Sequence, residues 1–351
     1  MRNPNVLFIG VCFIAGCLFL SSCHSDSTFI PVPAGGYQLI WADEFDGNSL
    51  NTDFWIYEID GCGEGNNELE FYRIENTEVA DGYLYIRPEP IKKEDEPKYN
   101  KRCTVEPTYG RPCPEYTSSR LLTKDKFAFQ YGYVELRVKL PNFAGMWPAF
   151  WLMPQANQKL LWPTGGEIDI AEVVGQRPKE VYSTLHYGAA TTQGGYVADS
   201  GAIGGSFAPI GGDFSEDFHT FAFEWTPDAI RYYFQGEQYF EAAYYDMNIP
   251  ETTVHLNDQE ITIKEFVSQN YPEASVTQGY PFDNSFYIIL NLAVGGNWPN
   301  TPDPAQRQED KAKDFPKELI VDYIRVYQQD GSPAPLLQPS PDPIESETCI
   351  P

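Results

Sequence analysis

Residues 166–172 read Gly166-Glu167-Ile168-Asp169-Ile170-Ala171-Glu172, with apolar residues between three acids. In a β-strand the side chains alternate, which would put Glu167 and Asp169 on one face and Glu172 on the other. One extra residue, a β-bulge, would return Glu172 to the face of the first two. Two such glutamates can bring their carboxyls to about 5–5.5 Å, the separation of nucleophile and proton donor in a retaining glycosidase. The stretch therefore predicts a bulged strand with a catalytic carboxylate pair.

The residues around this strand suit a sugar-binding surface. It is preceded by Met146-Trp147-Pro148-Ala149-Phe150-Trp151 and followed by His186, one of four histidines in the chain. Aromatic residues make up 15% of the sequence, and their flat apolar faces are the surfaces on which sugar rings stack. The alternative is a surface strand whose acids have no catalytic role. The aromatic residues and the histidine near the strand make this alternative weaker.

The charge balance narrows the range of partners. The 351 residues carry a formal net charge of −26. This charge argues against nucleic acid and anionic membrane surfaces, and it disfavours sulfated or uronic polysaccharides. It fits a neutral glycan, although solubility of a secreted protein is by itself a sufficient reason for it. We expect a monomer.

The N-terminus has the pattern of a secretory signal. An apolar run over residues 6–20 is too short for a comfortable membrane span, so residues 1–22 are predicted to be a signal peptide. Leu20-Ser21-Ser22-Cys23 is similar to a bacterial lipobox, whose cysteine becomes lipidated. The protein is predicted to be secreted, or anchored at the cell surface or outer membrane only through lipid on Cys23, with residues 23–36 as a tether.

Four cysteines remain beyond Cys23, an even number that suits an oxidising compartment. Cys103–Cys113 is the local bridge that we expect. Cys62–Cys349 follows only by elimination.

Many short strands separated by Gly, Pro, Asn and Asp predict an all-β sandwich of two sheets. The clearest strands cover residues 38–41, 83–86, 131–140, 221–225, 230–234, 286–292 and 319–327. Residues 260–269 are the best helix candidate. Residues 88–115 and 189–217 have the composition of inserted loops that could wall a groove. The domain is predicted to span residues 37–327, and residues 328–351, which are rich in Pro and Ser, to be a disordered tail.

Beyond the acidic stretch, further blocks resemble glycoside hydrolase family 16 in family order. They are Trp41-Ala42-Asp43-Glu44-Phe45-Asp46, Gly65-Asn66-Asn67-Glu68-Leu69, Tyr116-Thr117-Ser118-Ser119-Arg120-Leu121, Trp147-Pro148-Ala149-Phe150-Trp151, Thr184-Leu185-His186-Tyr187-Gly188, Asn291-Leu292-Ala293-Val294-Gly295-Gly296-Asn297-Trp298 and Val321-Asp322-Tyr323-Ile324-Arg325-Val326-Tyr327. The bulged motif, with the Asn-Asn-Glu-Leu and Gly-Gly-Asn-Trp blocks, is most similar to the laminarinase branch, the endo-β-1,3-glucanases. Agarases and carrageenases share the bulge, so it does not exclude them.

The resemblance implies a jelly-roll β-sandwich of two curved antiparallel sheets, with the substrate in a groove on the concave sheet. It also implies roles for the three acids. Glu167 would be the nucleophile and Glu172 the acid/base, while Asp169 would hydrogen-bond the nucleophile. The chemistry agrees, because one carboxyl must be ionised and the other protonated at the same pH. No organic cofactor is required.

The family also implies which residues bind substrate and metal. The predicted substrate-binding residues are Asn67, Arg120, Trp147, Trp151, Trp162, His186 and Trp298. A core position is the alternative for each of Trp147, Trp151 and Trp298, a structural role for His186, and an ordinary ion pair for Arg120. Many members carry a structural Ca²⁺, and the matching ligands are Glu44, Asp322 and the Gly82 carbonyl. Strand-edge acids are the alternative for the two carboxylates.

The sequence thus predicts a retaining endo-β-1,3-glucanase that acts on a polysaccharide. Within the same family, mixed-linkage β-glucan and agar-type galactan are alternative substrates, and capture of the intermediate by a sugar would give transglycosylation. The rival of another class is a non-catalytic β-glucan-binding protein on the same fold. The resemblance implies that such relatives lack the catalytic glutamates, which are present here.

Overall fold

The computed structural model describes residues 35–61, 63, 66–99, 112–155, 160, 162–189, 201–208, 213–256, 259–299 and 318–339. The predicted signal peptide and lipobox, most of the tether, Cys62, Cys103 and Cys349 lie outside these residues. Cys113 is disulfide-bonded, but the pairing Cys103–Cys113 stays a prediction. Within the described residues, no helix is long and apolar enough to cross a membrane.

Most of the described chain is β-strand, as the sequence predicts. The strands are β1 (Tyr37–Asp43), β2 (Ile56–Tyr57), β3 (Glu70–Tyr72), β4 (Thr77–Ala80), β5 (Tyr83–Ile86), β6 (Glu89–Pro90), β7 (Tyr116–Ser118), β8 (Arg120–Leu122), β9 (Phe127–Phe129), β10 (Gly132–Lys139), β11 (Met146–Pro154), β12 (Glu167–Glu172), β13 (Val181–Tyr187), β14 (Gly201–Phe207), β15 (His219–Trp225), β16 (Ala229–Phe234), β17 (Glu237–Ala243), β18 (Thr253–Leu256), β19 (Gln259–Thr262), β20 (Phe286–Val294), β21 (Leu319–Gln329) and β22 (Leu336–Leu337).

Helices are short and few within the described residues. They are α1 (Glu96–Tyr99), α2 (Tyr244–Met247), α3 (Ile263–Asn270) and the 3-10 turns η1 (Ile74–Asn76) and η2 (Ile249–Glu251). The predicted helix exists as α3, but it begins at Ile263 because Thr262 caps it. The Thr262 hydroxyl accepts from the Glu265 N–H, and the Glu265 carboxylate accepts from the Thr262 N–H.

Two large sheets form the sandwich. Sheet A has the strand order β17-β16-β15-β10-β21-β5-β4, with β1 also paired to β21. Sheet B has the order β14-β13-β12-β11-β20-β8-β2, with β9 beside β20 and β22 beside β9. All pairs within both sheets are antiparallel. This is the predicted jelly-roll β-sandwich.

The core lies between the sheets, and strand alternation decides what remains outside it. Along β11 the side chains of Met146, Phe150 and Leu152 are buried in the core cluster, whereas Trp147 and Trp151 are half-buried and point the other way. We call that second side, turned away from the core, the outer face of sheet B. It carries the residues on which the candidate site is built.

The C-terminal tail departs from the prediction. Strand β21 runs to Gln329, past the predicted domain end at Tyr327, and residues 336–337 add β22 to sheet B. Leu336 packs against a small apolar cluster of Leu122, Ala128, Tyr287 and Ile289. The prediction of disorder is therefore wrong for residues 328–339, because the sheet supplies the apolar partner that the tail alone lacks. Residues 340–351 lie outside the described residues.

The two predicted insertions also contain regular structure. Within residues 88–115 the chain forms β6, paired with β7, and the helix α1. Within residues 189–217 it forms β14, which is the edge strand of sheet B beside β13. Glycine-rich composition concealed this strand, since three of its seven residues are glycine.

A buried acid ties the small sheet β3-β7-β6 to sheet B. Glu70 of β3 accepts a hydrogen bond from the Val294 N–H at 2.7 Å. Burial, followed by the charge of Glu68, raises the pKa of Glu70 to about 8. Between about pH 4.3, where glutamate titrates in an unfolded chain, and pH 8, the folded protein keeps a proton that the unfolded chain has lost. Its free energy of unfolding therefore falls as the pH rises through this window.

We predict that Glu70→Gln flattens this dependence, since the amide oxygen can still accept from Val294 but the side chain no longer titrates. Urea unfolding at pH 5, 6, 7 and 8 would measure it. The wild-type slope should be steeper than that of the variant by up to about 1.4 kcal/mol per pH unit. Glu237→Gln removes an equal charge from an exposed position of β17 and serves as the control. Equal slopes for wild type and Glu70→Gln would contradict the prediction.

Candidate active site

The predicted bulge is present in β12. The register to both neighbouring strands shifts between Asp169 and Glu172. Ile170 and Ala171 fill the place of one residue, and both side chains lie in the core. Glu172 consequently returns to the outer face of sheet B, on the same side as Glu167 and Asp169. The prediction of a bulged strand with three acids on one face is confirmed.

Each of the two glutamates accepts a hydrogen bond from an indole. Trp162 Nε1 donates to Glu167 Oε2 at 2.6 Å. Trp147 Nε1 donates to Glu172 Oε1 at 3.0 Å. Both glutamates are half-buried, so each carboxyl is held in one orientation while part of it stays accessible from the outer face. The predicted sites Trp147 and Trp162 therefore lie directly at the acidic cluster.

His186 completes the cluster from the neighbouring strand. It is the register partner of Glu167 on β13, and its Nε2 lies 3.1 Å from Asp169 Oδ2. Its ring lies 5.9 Å from that of Trp162. One ligand atom each of Glu167, Asp169 and His186 lies within 4.8 Å of the others. Asp169 is almost fully buried, so its charge acts on both glutamates with little screening by solvent.

Mutual repulsion and burial keep protons in this cluster. Burial, followed by the negative charge of Asp169, raises the pKa of Glu167 to about 8. The same two causes raise the pKa of Glu172 well above its ordinary value. His186 lies opposite Glu167, and its charge opposes the rise in pKa at both glutamates. Both carboxyls therefore hold a proton to higher pH than an exposed glutamate does.

An aromatic wall continues the site beyond Glu172. The ring of Trp298 lies 5.3 Å from that of Trp147, edge to face, and 5.0 Å from that of Tyr182. Tyr182 is the β13 register partner of Glu172, and its hydroxyl accepts from Arg177 at 2.7 Å. Tyr182 was not among the residues predicted from the sequence. Its place four residues before His186 on one strand is the signal that puts both on the same face.

Trp151 lies on the outer face rather than in the core. Its Nε1 donates to Asn291 Oδ1 at 2.8 Å, and the guanidinium of Arg120 lies 5.0 Å from its ring centroid. Arg120 also pairs with Glu58, 2.8 Å from Nε to Oε2, with both side chains largely buried. The predicted residues Trp151 and Arg120 therefore belong to one polar and aromatic floor. Their partners Asn291 and Glu58 were not predicted as site residues.

Asn67 lies at the rim of this region. It has a left-handed backbone with φ +59°, and its Nδ2 donates to Asn297 Oδ1 at 3.2 Å. Asn297 directly precedes Trp298, so Asn67 connects the loop before β3 to the aromatic wall. Gly65, the first residue of its predicted block, lies outside the described residues.

The predicted calcium ligands have other partners. Both carboxylate oxygens of Glu44 accept from Arg325, at 2.7 and 2.9 Å. Asp322 pairs with Arg137. A calcium ion would have to displace two guanidinium groups, so these residues as they stand do not fit the site. Gly82 has φ +81°, which explains a glycine in the turn between β4 and β5 without any metal.

Comparisons with known proteins agree with this geometry. The model of glycosyl hydrolases family 16 matches residues 91–261. A beta-glucanase of Rhodothermus marinus is 34% identical over 325 residues, covering 90% of this chain and 91% of the relative. A beta-1,3-glucan-binding protein of Penaeus monodon is 31% identical over 294 residues, covering 74% of each.

A solved structure also matches. The catalytic domain of an endo-1,3-beta-glucanase (laminarinase) from Thermotoga petrophila superposes with a TM-score of 0.61 at 32% identity, covering 84% of this chain and 99% of that one. The chain belongs to glycosyl hydrolase family 16.

Proposed function

We propose that this protein is a retaining endo-β-1,3-glucanase in which Glu167 is the nucleophile and Glu172 the acid/base. The observation that carries the proposal is the bulged strand β12, on which both glutamates and Asp169 lie on one open face. The similarity to a beta-glucanase and to a laminarinase catalytic domain supports the substrate class.

The reaction takes place in two steps. Glu172 gives its proton to the glycosidic oxygen as the bond to the anomeric carbon breaks, while the Glu167 carboxylate attacks that carbon and forms a glycosyl ester. Glu172, now ionised, takes a proton from water, and the resulting oxygen nucleophile displaces Glu167. The second inversion restores the original configuration, and both carboxyls return to their starting states.

Asp169 and His186 set the protonation that this cycle needs. When protonated, Glu167 donates a hydrogen bond to the Asp169 carboxylate, which favours the protonated form of Glu167. The His186 imidazole and the Trp162 N–H favour the ionised nucleophile. His186 Nε2 lies 3.1 Å from Asp169 Oδ2, so the imidazole and the two carboxyls of Glu167 and Asp169 form one contact network.

The aromatic surfaces suit a neutral sugar chain. Trp147, Trp298 and Tyr182 form a wall on the Glu172 side, and Trp162, which is 42% exposed, stands on the Glu167 side. Indole and phenol rings offer apolar faces to the C–H side of pyranose rings and a polar group to the hydroxyls. We propose that sugars are bound on both sides of the cleavage point, as internal cleavage requires.

The rival of another class is a protein that binds β-1,3-glucan without cleaving it, as the name of the Penaeus monodon relative describes. The oriented carboxyls favour the enzyme, because glucan binding alone needs no three acids that oppose one another's ionisation. Within the enzyme class, mixed-linkage β-glucan, agar-type galactan and transglycosylation remain the alternatives that an assay must separate.

We further propose that the protein is secreted, or anchored through lipid on Cys23, on the evidence of residues 1–23. The bridge Cys103–Cys113 and the monomeric state stay predictions. The calcium site also stays a prediction, and the arginine pairs of Glu44 and Asp322 argue against it.

We predict that Glu167→Gln and Glu172→Gln each lower reducing-end release from laminarin by about 10³-fold or more, since each removes a group used in both chemical steps. Mixed-linkage glucan and agarose would be assayed beside laminarin. Glu237→Gln, exposed on sheet A, is the control and should keep full activity. If the wild type released no sugar from any glycan but still bound β-1,3-glucan, the enzymatic function would be refuted and the glucan-binding function favoured.

The two roles can be separated by rescue. With a dinitrophenyl glucoside, whose leaving group needs no proton, we expect Glu172→Ala to form glycosyl-enzyme and azide to restore turnover with a β-azide product. With Glu167→Ala, azide should instead attack directly and give the α-azide. Product anomers, measured by proton NMR, would reverse if the assignments of Glu167 and Glu172 were exchanged.

The two indole donors are predicted to affect different limbs of the pH profile of kcat/KM. Trp162→Phe removes a donor to the Glu167 carboxylate, which raises its pKa and moves the acidic limb to higher pH. Trp147→Phe does the same for Glu172 and moves the basic limb to higher pH. Each variant thereby serves as the other's control, and a profile in which either substitution moves the opposite limb would refute the role assignment.

A further inference from the structure

The bulge that brings Glu172 into place is held from inside the core. Ser183 of β13 is fully buried, on the face opposite Tyr182 and Thr184. Its hydroxyl donates to the carbonyl of Ile170, one of the two bulged residues, at 2.7 Å. A bulge interrupts the backbone ladder, so a side-chain donor at this point satisfies a buried carbonyl that the strand pairing does not.

The second sheet supports Ser183 directly. Tyr239 of β17, in sheet A, places its hydroxyl within hydrogen-bond distance of Ser183 Oγ. Because the one Ser183 proton goes to Ile170, the Tyr239 hydroxyl is the donor to Ser183. The Tyr239 ring is stacked on Phe207 of β14, with centroids 5.3 Å apart. The chain of contacts therefore runs from sheet A through the core to the bulge under the active site.

The sheets approach each other closely at this point. Gly205 is the register partner of Ser183 on β14, and a Cβ there would lie 2.7 Å from Cγ of Phe240. A Cβ on Gly204 would lie 2.6 Å from the Ser183 carbonyl oxygen. Side chains at either glycine would push the strands apart and lengthen the contact between Tyr239 and Ser183.

We propose that Ser183 and Tyr239 are positioning residues for the acid/base. Their hydrogen bonds fix the bulge, and the bulge fixes where the Glu172 carboxyl lies relative to Glu167. The inference rests on the proposed function of this site and adds two residues that touch neither substrate nor reacting atoms. A displacement of about 1 Å at a catalytic group costs on the order of 10²-fold in rate.

The test is Ser183→Ala, assayed well below its melting temperature on laminarin and on a dinitrophenyl β-glucoside. We expect kcat on laminarin to fall about 10- to 100-fold with KM within about twofold. On the dinitrophenyl substrate the loss of kcat/KM, which reports the first step alone, should be much smaller, because that leaving group needs no proton from Glu172. Ser183→Thr keeps the hydroxyl and should recover most of the activity.

Two further variants keep the test decisive. Thr123→Val is the matched control, because it removes a buried hydroxyl that lies away from the bulge. That hydroxyl donates to the Phe127 carbonyl at a distance of 2.8 Å. The variant should lower stability but leave kcat unchanged. Tyr239→Phe keeps the ring and should reproduce the leaving-group dependence of Ser183→Ala more weakly, even if Ser183→Ala does not fold.

Two outcomes would overturn the inference. Ser183→Ala and Tyr239→Phe could lower the melting temperature as Thr123→Val does and keep wild-type kcat, which would make both residues purely structural. Equal losses of kcat/KM on the two substrates would show that Ser183 and Tyr239 do not act through proton donation by Glu172. A wild type that releases no sugar would instead refute the proposed function, so the two failures are distinguishable.

Discussion

The extra residue in β12 is the constraint on which the site depends. Without it, Glu172 would point into the core between the sheets, where an unpaired carboxyl costs several kcal/mol or stays protonated. With it, Ile170 and Ala171 both enter the core and three acids share one open face. A single local irregularity thus converts an ordinary half-buried strand into a catalytic surface, while the rest of sheet B keeps its regular pairing.

The three acids lie close enough to oppose one another's ionisation, and the residues around the two glutamates differ. Asp169 is almost fully buried between the two glutamates and raises the pKa of both. The indoles of Trp162 and Trp147 each favour one ionised glutamate, but only Glu167 also has His186 directly opposite. In the proposed mechanism this asymmetry, rather than any difference between the two side chains, separates the nucleophile Glu167 from the proton donor Glu172.

The sequence predicted the features that follow from local pattern. Alternation and the placement of three acids were enough for the bulge, and the strands β10, β20 and β21 were evident from their apolar periodicity. Ser183 was missed because its role depends on contacts with other strands, and nothing local distinguishes it. Tyr182 was missed although its four-residue spacing from His186 puts both on one face. Strand β14 was hidden by its glycines. At Gly205 sheet A approaches closely through Phe240, and at Gly204 the neighbouring strand β13 does, and no local pattern contains either approach.

The C-terminal tail also owes its structure to distant parts of the chain, but here the sequence predicted too little order. Its Pro-rich composition offers too little apolar surface to fold alone, so disorder was the reasonable prediction. Leu336, however, adds to a preformed apolar cluster on the outer face of sheet B, and the Gln338 N–H donates to the Lys126 carbonyl. Packing against an existing sheet requires only a few residues to become ordered. A segment with too little apolar surface to form its own core can therefore still add to the core of the domain. Because Trp151 packs against that same cluster, the tail and the floor of the active site share one apolar surface.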